Sequence, residues 1–190
     1  MKHSFYMTIL AAMLLTVSCG QPPKGSNAVA AAGDATESEV AGPAAEAVED
    51  ADAPQYIDIA LPGTDNRVIR VSDFVAKNKL TLIDFWASWC GPCRAEMPYV
   101  TRTYAAFNPR GLEIVGVSLD NNREAWLNAI RDLQLMWPQM SDLKGWDCEG
   151  ARLYGVESIP TNVLVAQDGR IVAANLRGDE LYRKVEELLK

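Results

Sequence analysis

Histidine is almost absent from this 190-residue chain: its single copy, His3, stands at the very start. No imidazole is therefore available downstream for general acid–base catalysis or for most zinc sites. Positive charge is also short, with 18 lysines and arginines against 25 aspartates and glutamates, a net charge of -7. Such a balance lacks the basic footprint that nucleic-acid phosphates demand, so no nucleic-acid partner is expected. Four cysteines are too few for a disulfide-built miniprotein, and each needs its own account. No apolar run reaches membrane-spanning length. The longest, Phe5–Val17, holds 13 residues, ~20 Å of helix against a ~30 Å hydrocarbon core. What the chain does have is an apolar fraction of 48%, ordinary for a packed core, and a length that suits one domain with appendages.

Lys2 and His3, the short apolar run and the small residue Ser18 describe an export signal over residues 1–19. Thr16-Val17-Ser18-Cys19 resembles the lipobox of bacterial lipoproteins, with Thr16 where leucine is commonest. That resemblance implies acylation at Cys19 and a lipid anchor in the bacterial cell envelope, facing the periplasm from the inner or the outer membrane. An ordinary cleaved signal and an uncleaved N-terminal anchor are the competing readings. All three place the chain outside the cytoplasm, where disulfides persist unless something reduces them.

Residues 20–53 hold 11 alanines, seven acids and one base, Lys24, with no aromatic residue, leucine or isoleucine. Such a segment buries too little apolar surface to offset chain entropy, and it reads as a disordered acidic tether with a reach of ~30–35 Å. Pro54–Lys190 carries 16 basic and 18 acidic residues, so most of the chain's acidity belongs to the tether. Here short apolar runs alternate with helical periodicity, the pattern of an α/β domain. Strands are expected at Tyr56–Ala60, Arg67–Val71, Leu80–Ala87, Glu113–Ser118, Asn162–Ala166 and Ile171–Asn175. Helices are expected from a Ser72 cap to Lys77, and over Arg94–Phe107, Arg123–Leu133, Asp147–Tyr154 and Asp179–Leu189.

Trp89-Cys90-Gly91-Pro92-Cys93 lies between a β run and a helix. Two cysteines three apart across a helix start can close a small disulfide without rearranging the fold. Cys90 at the helix N-terminus would have its thiolate stabilised by free N–H groups and the helix dipole. Cys93 would lie one turn in and act on a mixed disulfide, and Pro92 suits the first helical turn because it lacks an N–H. A zinc site would need four ligands, and only Cys148 could join the pair, so no metal is expected. A purely structural bridge over so short a loop would restrict the unfolded chain little.

Leu82-Ile83-Asp84-Phe85-Trp86-Ala87-Ser88-Trp89-Cys90-Gly91-Pro92-Cys93-Arg94 resembles the active-site strand and turn of thioredoxins. Glu96-Met97-Pro98, the insert between Leu119 and Asp147 and the export signal are similar to the TlpA/ResA-like branch of thiol-disulfide oxidoreductases. The resemblance covers Pro54–Lys190. It implies a thioredoxin fold, a central mixed β-sheet flanked by helices with a TlpA/peroxiredoxin-type insert, and a redox disulfide Cys90–Cys93. It makes Cys90 the attacking thiol and Cys93 the resolving one. It makes Ile159-Pro160 the cis-proline turn that lies against the disulfide, with Trp89, Gly91, Pro92, Ile159 and Pro160 lining the substrate site. Asp84 would be the buried carboxylate that takes a proton when Cys93 is activated; the alternative places it at a strand edge, capping an amide.

Trp86 reads as a core residue, Arg94 as added positive charge or a solvated side chain, and Trp126, Trp137 and Trp146 as packing residues of the insert. Cys148 is either a small core residue or a third thiol near the active face. The resemblance further implies no cofactor. It implies disulfide-bearing exported proteins as substrates, including apocytochrome c, and a membrane thiol reductant of the DsbD/CcdA type as partner. The expected activity is reduction of protein disulfides. A thiol peroxidase and a non-catalytic binding module are the alternatives.

Overall fold

Leu80–Trp86 is a strand buried at every position, as a run with apolar residues at both parities must be when both faces of a sheet are covered. The computed structural model describes residues 53–190. The leader, the tether before Ala53 and Cys19 lie outside the described residues. We number the elements in chain order: β1 (Ala60–Pro62), β2 (Val68–Arg70), α1 (Val71–Val75), β3 (Leu80–Trp86), α2 (Gly91–Phe107), β4 (Leu112–Ser118), α3 (Arg123–Asp132), β5 (Gln139–Met140), α4 (Glu149–Leu153), β6 (Thr161–Ala166), β7 (Ile171–Ala174) and α5 (Gly178–Leu188). The main sheet is mixed, in the order β5-β4-β3-β6-β7. The central β3 runs parallel to β4, with Ile83 opposite Val115, and antiparallel to β6, with Ile83 opposite Val163.

Helices cover the sheet. Tyr154, just after α4, sets its ring 5.4 Å from Phe85 of β3. Tyr104 of α2 meets Trp137 at 5.3 Å, and Phe107 of α2 meets Tyr182 of α5 at 4.8 Å. Trp86, Trp126 and Trp137 are all buried, as core and insert packing residues. Trp146 departs from the expectation: it is half exposed. It follows Gly145, whose φ of 59° turns the chain outward in a 3-10 turn over Gly145–Asp147.

Several boundaries also move, for reasons outside the local sequence. Residues 55–59 form a strap rather than the expected strand: the Tyr56 amide donates to the Gly169 carbonyl at 2.9 Å, and the Tyr154 hydroxyl donates to the Ile57 carbonyl at 2.7 Å. Gln55 makes only an isolated antiparallel bridge to Arg170, and the ladder with β2 begins at Ala60, opposite Arg70. Ser72 is not the cap of α1. Its own amide and hydroxyl donate to the Asp58 carboxylate at 2.8 and 2.9 Å, so a residue on the strap satisfies the helix end. The expected helix over Asp147–Tyr154 divides into the 3-10 turn and α4, with Cys148 between them.

Candidate active site

The N-terminus of α2 organises the site. Cys90 is the N-cap residue, and its sulfur accepts from the Cys93 amide at 3.1 Å. This is the donor left over when a helix starts, used here to hold a sulfur. Gly91 and Pro92 form the exposed first turn. A Cβ at Gly91 would meet nothing within 4 Å. Cys90 and Cys93 are joined by a disulfide, with Cα atoms 5.2 Å apart. Cys93 is buried and Cys90 nearly so, so the pair presents one narrow side to solvent.

Two loops complete the rim. The Ile159–Pro160 peptide is cis, and the Ile159 carbonyl oxygen lies 3.7 Å from the Cys90 sulfur. On the other side Trp89 is 52% exposed, its indole N–H donating to the Leu119 carbonyl at 3.3 Å. Arg94 is exposed on α2. Trp86 faces inward and donates to Gln139 Oε1 at 3.0 Å.

Asp84 sits in the middle of the sheet, not at its edge, between Gly116 of β4 and Asn162 of β6. Burial pushes its carboxyl up to about 7; Arg177 opposes that rise and Glu96 adds to it. A carboxylate in that range is split between its two forms at neutral pH, which suits proton exchange with a neighbouring group. The three charges come from β3, α2 and the loop before α5. Asn162 fixes that loop: its amide donates to the Leu176 carbonyl and its carbonyl accepts from the Leu176 amide, both at 3.0 Å. Arg177 then reaches the Pro160 carbonyl, and Glu96 accepts from the Gly178 amide.

A second buried carboxylate, Asp120, was not evident from the pattern. It accepts from the Ser88 amide at 3.0 Å and from the Ser88 and Ser118 hydroxyls at 2.5 and 2.7 Å. These contacts fasten the loop that carries Trp89 and Cys90. The Ser88-Trp89 loop two residues past a buried strand was the available signal, but its partner lies 32 positions away. Cys148 is buried and free, with its thiol pushed up chiefly by burial. Among the described residues no group of three or more His, Cys, Asp or Glu is placed to hold a metal.

The arrangement supports thiol–disulfide exchange: a sulfur at a helix N-terminus, a second sulfur one turn in, an open rim and a buried carboxyl near neutrality. Known proteins agree. Residues 52–174 match the AhpC/TSA family. The thiol-disulfide oxidoreductase ResA of Bacillus thuringiensis subsp. konkukian is 32% identical over 139 residues, 73% of this chain and 75% of that protein. ResA of Bacillus subtilis is 32% identical over 124 residues, 65% of each chain. Among solved structures, the thioredoxin domain of a thiol-disulfide oxidoreductase from Bacteroides vulgatus is 35% identical, with a TM-score of 0.67 over 73% of this chain and 97% of that one. A thiol-disulfide oxidoreductase from Bacteroides fragilis gives 32% and 0.66 over 71% and 99%. With its mixed sheet, its Cys90–Cys93 pair and these relatives, the chain belongs to the AhpC/TSA family, as a thioredoxin-fold thiol-disulfide oxidoreductase of the ResA type.

Proposed function

We propose that this protein reduces disulfides of exported proteins, from a lipid anchor at Cys19 on the outer side of a bacterial membrane. The observation that carries the reading is the Cys90–Cys93 disulfide capping α2. In the reduced protein the Cys90 thiolate, held by the helix N-terminus, attacks one substrate sulfur. The substrate disulfide breaks, a Cys90–substrate disulfide forms, and the first substrate thiolate leaves. Cys93 then gives up its proton, with Asp84 as acceptor, and attacks the Cys90 sulfur. The second substrate thiolate leaves and the Cys90–Cys93 disulfide is formed. Two electrons pass from the protein to the substrate, and a membrane thiol donor of the DsbD/CcdA type must return them.

Gly91-Pro92 between the cysteines and Asp84 in the strand before them are similar to thioredoxins, and this likeness supports the reducing direction. The leader pattern supports the location. Against a peroxidase, no cysteine within Pro54–Lys190 follows the Thr-x-x-Cys spacing of peroxidatic sites, and Cys148 is buried. Acid trapping and alkylation of growing cells tests the direction: a mostly reduced Cys90/Cys93 pair supports a reductase, and a mostly oxidised pair refutes it. Globomycin should leave an unprocessed precursor, and unchanged processing would refute acylation at Cys19.

A further inference from the structure

Three of the five tryptophans are buried, while Trp89 and Trp146 are 52% and 50% exposed. The two exposed rings meet each other, with centroids 6.0 Å apart and planes inclined by 55°. Two large apolar side chains exposed side by side form a contiguous apolar patch of the kind found at binding surfaces, where tryptophan is enriched. Trp89 precedes the N-capping Cys90 directly, so this surface continues the reactive rim. The paired rings border a shallow groove of about 460 Å³, lined by Trp89, Leu119, Asn121, Lys144, Gly145 and Trp146.

Both walls hang from the same segment after β4. The Trp89 indole donates to the Leu119 carbonyl, and Asp120 holds Ser88, immediately before Trp89, through its carboxylate. The Asp120 carbonyl accepts from the Gly145 amide at 3.4 Å, next to Trp146. The Asp142 carboxylate takes the Lys144 amide at 3.2 Å. The backbone on either side of the groove is therefore fastened by hydrogen bonds before anything binds, which lowers the entropy cost of docking.

Cys90 is only 4% exposed. A substrate sulfur can reach it only if the chain on either side lies on the rim, against the Ile159-Pro160 loop on one side and Trp89 on the other. We propose that Trp146 is a specificity-determining residue. With Trp89 it docks a large apolar or aromatic side chain that flanks the cysteine in an extended segment of the disulfide-bearing substrate. This inference rests on the exchange chemistry proposed above.

Two disulfide-linked peptides that differ in one flanking residue, phenylalanine or alanine, test it. The wild-type protein should reduce the phenylalanine peptide with a kcat/KM about tenfold higher, mostly through KM, an effect of the size of one apolar contact. In Trp146→Ala the ratio between the peptides should fall to about one, and Trp146→Phe should retain most of it. A wild-type ratio near one, or a ratio unchanged in Trp146→Ala, overturns the inference. Hydroxyethyl disulfide, which has no side chain to dock, isolates the chemistry: a wild-type protein that exchanges with neither it nor the peptides refutes the reductase reading. Docking is then read separately, from tryptophan fluorescence during titration with the phenylalanine peptide carrying serine for cysteine. A saturable change abolished in Trp146→Ala supports the groove, and no change in the wild type, or one that persists in the variant, overturns it.

Discussion

Replacing Asp84 by asparagine should stabilise the folded protein while slowing its chemistry, and the stability gain should depend on pH. The carboxyl ordinarily ionises near 3.8 and here near 7, chiefly because burial disfavours its charged form. At ~1.4 kcal/mol for each factor of ten, that difference corresponds to about 4 kcal/mol. The sign follows from which state releases the proton first. Below 3.8 the folded and unfolded chains both hold it, and ionisation costs the fold nothing. As pH rises from 3.8 through 7 the unfolded chain ionises first, so stability is lost progressively. Above 7 both states are ionised and the whole penalty is present. Asparagine has nearly the same shape and no charge to bury. Urea unfolding of the oxidised protein should therefore show Asp84→Asn more stable by about 2–4 kcal/mol near pH 8 and by under about 1 kcal/mol near pH 4. A difference equal at both pH values would refute the buried-charge account. Dithiol oxidation by a disulfide substrate should slow by at least about tenfold near pH 7, the loss expected when the proton acceptor proposed for Cys93 is removed. An unchanged rate would remove Asp84 from the mechanism.

Other residues give independent checks. Asp120→Ala strips the acceptor from the Ser88 amide and from two hydroxyls. It should cost about 2–3 kcal/mol in urea unfolding and shift tryptophan emission as the Trp89 loop loosens; unchanged emission and stability would refute the anchoring role. In Gly116→Ala a Cβ would stand 2.2 Å from Gln139 Oε1, the atom that accepts from the Trp86 indole. The expected loss is about 1–3 kcal/mol, partly recovered by adding Gln139→Ala, and equal losses with and without that second change would refute the clash. Iodoacetamide should leave Cys148 unlabelled in the native protein and label it only on unfolding, as mass spectrometry will show, because the thiol is buried and pushed up.

The elements legible in the sequence are those whose cause is local. β3 and β4 are largely apolar runs, α2 begins where a cysteine, a glycine and a proline succeed a strand, and the Asp-Gly turn separates β6 from β7. The Cys90–Cys93 motif is local too, but the cis Ile159–Pro160 peptide is expected only from the resemblance to thioredoxins. Contacts set by distant residues were not legible. Ser72 has the chemistry of a cap, but Asp58, 14 positions earlier, occupies that role. β5 is two residues long and carries no periodicity to read. Trp146 looks like any other tryptophan of the insert until the left-handed Gly145 aims it outward. Asp84 was readable as either an edge residue or a buried one, and only the pairing of β3 with strands on both sides decides between them.

Charge burial in this domain is unevenly used. Asp120 is surrounded by three donors from Ser88 and Ser118, which compensate its removal from water and make it a structural anchor. Asp84 is buried among the strands with Arg177 as its opposing charge and Glu96 as a like one, so its ionised form stays costly. A carboxylate whose ionised form stays costly, as that of Asp84 does, can change state when a neighbour does. The domain thus holds one acid after β4 that keeps the Trp89 loop in place and one within β3 that stays near balance between its two forms. In the exchange proposed for Cys90 and Cys93, Asp120 would keep the rim still as the sulfurs pair and separate, and Asp84 would take up the proton that moves.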